Sequence, residues 1–157
     1  GNGLPQNGTL DLVTGVGGPA YSSLIVENSA AMESFFTQVL DFERRTSREW
    51  SNFSPRFRYV TLHALGARTG NLGLVEYASE DRRAGMGVPP RPPNRGLAGW
   101  TFPVRSLSAI LRRAEAYGAT VQAGPTVFDD PRFGRVTAAS LLAPNGFLIE
   151  VFEATSR

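Results

Sequence analysis

Two glutamates are the side chains best placed to do chemistry. Glu76 lies in Asn71-Leu72-Gly73-Leu74-Val75-Glu76-Tyr77 and Glu150 in Asn145-Gly146-Phe147-Leu148-Ile149-Glu150-Val151, so the pattern Asn-x-x-Leu-(Val/Ile)-Glu occurs twice. Each carboxylate sits in an apolar run that reads as a strand, where burial without a partner is costly. If the two converge on one cavity, they could ligate a hard divalent cation or act as general acid and base. If they do not, each faces solvent or pairs with an arginine. Both readings stay open at this level.

The rest of the reactive inventory is short. The 157 residues include no cysteine and one histidine, His63, and all 16 basic residues are arginine. Disulfides, thiolate metal sites and thiol catalysis are excluded, as are Schiff-base and P-loop lysines. So is any site that needs two histidines from one chain. His63 falls on a strand, where a lone histidine is more often structural, although it could contribute to a site from a neighbouring strand. The net charge is +2 and the arginines come in pairs at most, without the basic face that a nucleic-acid partner requires. Apolar residues make up 41% and charged residues 19%, a globular composition. No run approaches the ~20 apolar residues of a membrane span, and no charged, apolar signal segment opens the chain. No nucleic-acid or membrane partner is expected, and the expected location is the cytoplasm. The arginine-only, alanine- and glycine-rich composition suggests a GC-rich bacterial gene.

The elements that position these groups can be read from periodicity. Residues 1–19 form a Gly/Asn/Pro-rich flexible lead-in. Their Gly15-Val16-Gly17-Gly18 looks like a phosphate-binding loop, but Pro19 and an extended stretch follow instead of a helix. Tyr21–Val26 reads as a strand. Asn28 and Ser29 cap a helix whose Met32, Phe35, Phe36, Val39 and Leu40 make one apolar stripe. Two or three strands follow, among them Phe57–Leu65 and Leu72–Tyr77. Residues 81–96, with Pro89-Pro90-Arg91-Pro92-Pro93, read as a stiff linker. Trp100–Val104 is then a strand, with Pro103 marking an edge or a bulge. Ser106 caps a second helix, and Gly118 stands at its C-terminal end. Val127–Phe128, a turn at Asp129–Gly134, a strand near Arg135–Leu142, the turn Pro144-Asn145-Gly146 and a strand Phe147–Phe152 complete the chain.

The second half thus repeats the first. A shift of 78 residues carries Asn28 onto Ser106, and a shift of 74 carries Glu76 onto Glu150. The fold class expected is α+β: two βαβββ modules, 20–80 and 97–157, in one pseudo-symmetric domain with mixed, curled sheets around a cavity.

In order and spacing these residues resemble the vicinal oxygen chelate superfamily, which includes glyoxalase I, extradiol dioxygenases and bleomycin-resistance proteins. The resemblance spans about Tyr21 to Glu153. Its carriers are Val26-Glu27-Asn28, Phe35-Phe36 with Val39-Leu40-Asp41-Phe42, and Ala143-Pro144-Asn145-Gly146-Phe147-Leu148-Ile149-Glu150. Phe36, Asp41 and Ala143 are variants at places where the family has Tyr, Gly and Asp. In the metal-using members, the ligands come from the first and last strands of each module. The resemblance puts these positions at Tyr21, Glu76, Gly99 and Glu150; the usual histidines are replaced by Tyr21 and Gly99.

Two functions follow as expectations. The first is a resistance-like protein that binds a small apolar or aromatic molecule in a cavity between the modules, without the usual His-containing metal site and without a cofactor. Tyr21, Tyr59, Trp100, Phe102 and Phe147 would wall the cavity, and Glu76, Glu150 and an arginine would orient polar groups. The second is a glyoxalase- or extradiol-type lyase or dioxygenase. It would hold a divalent metal (Mg, Mn, Zn or Fe) on Glu76 and Glu150, with Tyr21 as a hydrogen-bond or proton donor. A third reading is a degenerate or regulatory module. The resemblance also implies a homodimer.

Overall fold

The structure is a computed structural model that describes residues 21–65, 70–89 and 99–154. The lead-in, its glycine run, most of the proline run and the side chain of Tyr21 lie outside the described residues.

The first module begins with strand β1 (Tyr21–Ile25) and helix α1 (Ser29–Val39). Three strands follow: β2 (Phe42–Trp50), β3 (Phe57–Ala64) and β4 (Asn71–Tyr77). They form a four-stranded sheet of order β1-β4-β3-β2, in which β1 runs parallel to β4 and the other pairs are antiparallel. The second module repeats this with β5 (Gly99–Pro103), α2 (Leu107–Ala114), β6 (Thr120–Asp130), β7 (Gly134–Leu142) and β8 (Leu148–Ala154), in the order β5-β8-β7-β6. Here too the one parallel pair is that of the first and last strands.

Local chemistry explains the helices. Asn28 Oδ1 accepts the Ala31 N–H at 2.9 Å and Ser106 Oγ accepts the Ala109 N–H at 3.4 Å, each satisfying an orphan donor at a helix start. Met32, Phe35, Phe36 and Val39 are fully buried, as their spacing predicts. Gly118 ends the second helical segment in the left-handed conformation, with φ 77°. Pro103 lies on an edge strand, as expected. Sequence periodicity does not reveal β2. Phe-Glu-Arg-Arg-Thr-Ser-Arg-Glu-Trp is an exposed edge strand with no apolar alternation. Similarly, β6 starts seven residues before Val127 because its first half is small and polar.

Alternation along each strand gives each sheet two different faces. On the helix side lie Leu24, Val60, Leu62, Leu72 and Leu74 of the first sheet and Leu141, Ile149 and Val151 of the second, all buried. The modules meet through these helix sides. Phe36 of α1 makes edge contacts with Trp100 at 5.8 Å and Phe102 at 6.3 Å, and Phe42 meets Phe102 at 5.4 Å. Such pairs add about 0.5–1.5 kcal/mol beyond area burial. Arg113 of α2 forms a two-pronged ion pair with Asp41, at 3.0 and 3.3 Å. One continuous core therefore joins the two halves, and the other face of each sheet is left open.

Candidate functional site

The open face of the second sheet carries a concave site. Strand register arranges its side chains in rows. Thr101, Glu150, Ser140 and Ala123 form one row; Pro103, Phe152 and Ala138 form the next. Beyond them lie Val136 and Phe128. These residues line a cleft of about 600 Å³, and all of its lining residues belong to the second module.

Glu150 is the carboxylate in the row of small and hydroxyl side chains. Its Oε2 accepts a 3.0 Å hydrogen bond from Thr101 Oγ1 on the adjacent strand. The apolar end is built by the β6–β7 turn. Asp130 Oδ1 accepts the N–H groups of Arg132 at 2.8 Å and Phe133 at 3.0 Å. These two bonds hold the Asp130 carboxyl below its ordinary pKa. They also fix the turn so that the Phe133 ring lies 4.8 Å from that of Phe152. The Arg132 guanidinium lies 5.4 Å from the Phe133 ring centre.

Glu76 stands elsewhere. Leu72, Leu74 and Glu76 share the helix side of β4, whereas Glu150 alternates with the buried Ile149 and Val151 and faces the cleft. The Glu76 Oε2 accepts the Ser29 N–H at 2.7 Å and the Ser29 hydroxyl at 2.6 Å, at the first turn of α1. A carboxylate is favoured there by the orphan N–H groups and the helix dipole. In the second module the same bond runs from the Leu107 N–H to Glu153 at 2.7 Å. The helix-start shift of 78 residues carries Ser29 onto Leu107, so Glu76 corresponds to Glu153. The sequence pattern that paired Glu76 with Glu150 is thus three residues out of register.

The position equivalent to Glu150 in the first module is Gly73. Thr101 pairs with Glu150 as Ser23 pairs with Gly73. Gly73 is buried beneath a Tyr59–Ser23 hydroxyl pair at 3.2 Å, and a Cβ built on it would collide with both hydroxyls. Tyr59 therefore covers the place where a second carboxylate would stand. Of the four positions that the resemblance assigns to a metal, Gly99 has no side chain and Glu76 faces the helix. No group of three His, Asp or Glu side chains suited to a metal occurs among the described residues. Glu76 and Glu150 lie on opposite faces of their sheets and do not fit a shared divalent cation or acid–base pair.

The expected aromatic walls are also redistributed. Phe147 is fully buried, and the half-buried Trp100 packs on it at 4.8 Å. Trp100 Nε1 donates to Ser22 Oγ at 3.2 Å. Trp100 and Phe102 belong with Phe147 to the core between the modules, because β5 turns both of them to its helix side. Tyr59 lies on the open face of the first sheet, outside the cleft. His63 lies on that face too, with Nε2 3.4 Å from Glu43 Oε2 on β2. The aromatic residues that do wall the cleft, Phe128, Phe133 and Phe152, were not among those expected. The alternation Leu148-x-Glu150-x-Phe152 and the Asp-Pro-Arg-Phe-Gly turn are the signals that point to them.

Comparison with known proteins agrees with this architecture. A glyoxalase family protein of Bacillus cereus superposes with a TM-score of 0.74 at 13% identity, covering 88% of this chain and 94% of that one. A glyoxalase family protein of Enterococcus faecalis gives 0.61 at 17% identity, with coverages of 87% and 97%. TnmS3, an antibiotic binding protein from a Streptomyces species, gives 0.58 at 17% identity, with coverages of 89% and 98%. A comparison with curated proteins found no match. The sequence profile of the Glyoxalase/Bleomycin resistance protein/Dioxygenase superfamily matches residues 18–151. With that match over most of its length and two βαβββ modules in its fold, the chain belongs to the glyoxalase/bleomycin resistance protein/dioxygenase superfamily.

Proposed function

We propose that this chain is a small-molecule-binding member of its superfamily. It takes a small apolar or aromatic molecule into the open face of the second sheet, without the His-containing metal site of the metal-using members. The observation that carries this reading is the cleft itself: Glu150, with one hydrogen bond from Thr101, at one end of an aromatic-walled hollow of about 600 Å³. That volume suits a drug-sized molecule. The printed description of TnmS3 as antibiotic binding supports a binding role on this fold. The enzyme reading needs Glu76 in the same site and loses its ligand pair.

The same reading includes a cytoplasmic homodimer. Phe128 and Phe133 are exposed at the cleft of the second sheet, and exposed apolar surface of this kind marks association sites. No helix among the described residues is long and apolar enough to cross a membrane.

The test is a thermal-shift titration with Mn²⁺, Zn²⁺ and Mg²⁺ on the wild type, Glu76→Gln and Glu150→Gln. The expected result is no metal-dependent rise in Tm that both substitutions abolish. A rise lost in each folded variant would restore the two-carboxylate metal site and overturn the reading.

A further inference from the structure

We propose that the molecule held on the second sheet carries a protonated nitrogen on a flat apolar frame, with the nitrogen set on Glu150. This rests on the binding reading above and names the ligand class of the same cleft.

A carboxylate has about four acceptor positions. Thr101 fills one, and among the described residues no arginine pairs with Glu150. The other polar neighbour in its row, Ser140, is a single hydroxyl. The arginine that lines the cleft, Arg132, stands at the far turn beside Asp130, whose charge offsets it. The Glu150 end of the cleft is therefore acidic and short of donors. A ligand that covers it must bring donors, and a cation brings the strongest ones.

The geometry fixes the spacing. Glu150 and Phe152 are two residues apart on one face of β8, or about 7 Å along an extended strand. Phe133 lies against Phe152. The hollow beside them is floored by Ala138 and Ala123, side chains too small to obstruct a flat ring. A ring on the aromatic end and an exocyclic nitrogen hydrogen-bonded to Glu150 span this distance. An anionic ligand would face the Glu150 carboxylate, while Asp130 and Arg132 offset one another at the far turn.

The test uses one frame in three charge states: naphthalene-2-carboxamidine, naphthalene-2-carboxamide and naphthalene-2-carboxylate. Each is titrated into the ¹⁵N-labelled full chain, and affinity and location are read from amide shifts. The amidine is expected to bind at least about tenfold more tightly than the amide, as one charge-assisted bond implies. The carboxylate is expected to bind weakest, with shifts at Thr101, Ser140 and Phe152. Glu150→Gln is expected to remove the amidine's preference over the amide. The wild-type ranking is decisive even if that variant fails to fold. Equal affinities, or an amidine preference that survives Glu150→Gln, would overturn the cationic class and leave the binding reading standing. So would a loss of dimer in Glu150→Gln without an amidine preference, because Glu150 would then pair with a second copy. Absence of shifts on this face with all three probes would overturn both.

Discussion

Glu76 and Glu153 hold the same place in the two modules: each carboxylate caps the first turn of its module's helix from the last strand, through a 2.7 Å bond to a backbone N–H. This relationship places Glu76 outside the cleft and leaves Glu150 without an equivalent carboxylate. The two glutamates should therefore fail in different assays.

Glu76→Ala should lower stability by about 1–3 kcal/mol, because it leaves the Ser29 N–H and hydroxyl without their acceptor inside the fold. Urea denaturation measures the loss. Binding on the second sheet by the folded fraction should not change.

Core and cleft aromatics should separate in the opposite sense. Phe147 is fully buried, so Phe147→Ala should cost about 3–5 kcal/mol. Phe133 is about half exposed, at 46%, and Phe133→Ala should cost only about 1 kcal/mol, the loss of its contact with Phe152. It should nevertheless weaken the binding of aromatic molecules several-fold. Paired denaturation and binding titrations check this contrast.

Gly73 should tolerate no side chain. Gly73→Ala drives a methyl group into the Tyr59 and Ser23 hydroxyls and should cost about 1–3 kcal/mol. Gly73→Glu, the substitution that would give the first module its own carboxylate, should cost more. Chemical denaturation of the two variants gives the order.

Acid should loosen the Asp130 turn. The Arg132 and Phe133 N–H groups depress the Asp130 carboxyl in the folded state, and the Arg56 N–H and guanidinium do the same for Asp81. Each contribution is fully present above the unfolded carboxyl pKa of about 4 and is lost as pH falls through the lower folded value. The urea midpoint should therefore fall below about pH 4. Asp130→Asn should flatten part of that fall while keeping the turn's acceptor. An unchanged slope in that variant would count against the turn assignment.

Much of the fold was legible because its signals are local. Caps at Asn28 and Ser106 and the α1 stripe each depend on neighbours in sequence, and the same local signals recur in the second half. The strands β2 and the first half of β6 were not legible, since edge strands bury little and need no apolar alternation. The site was only half legible. Glu150 lies in the cleft, but Glu76 shares its motif and not its face. Side chains in a strand alternate, so a three-residue offset between halves places the two carboxylates on opposite sides. Trp100, Phe102 and Phe147 read as cleft walls for the same reason: composition names an aromatic, and only register says which face it takes.

A ligand held on the open face of the second sheet should perturb the residues around Glu150. The direct test is an amide-shift map of the ¹⁵N-labelled chain with a set of flat aromatic fragments, compared between Glu76→Gln and Glu150→Gln. The expected result is shifts centred on Thr101, Ser140 and Phe152 that persist in Glu76→Gln and change in Glu150→Gln. Shifts centred on Tyr59 and Gly73, or lost in a folded Glu76→Gln, would contradict it.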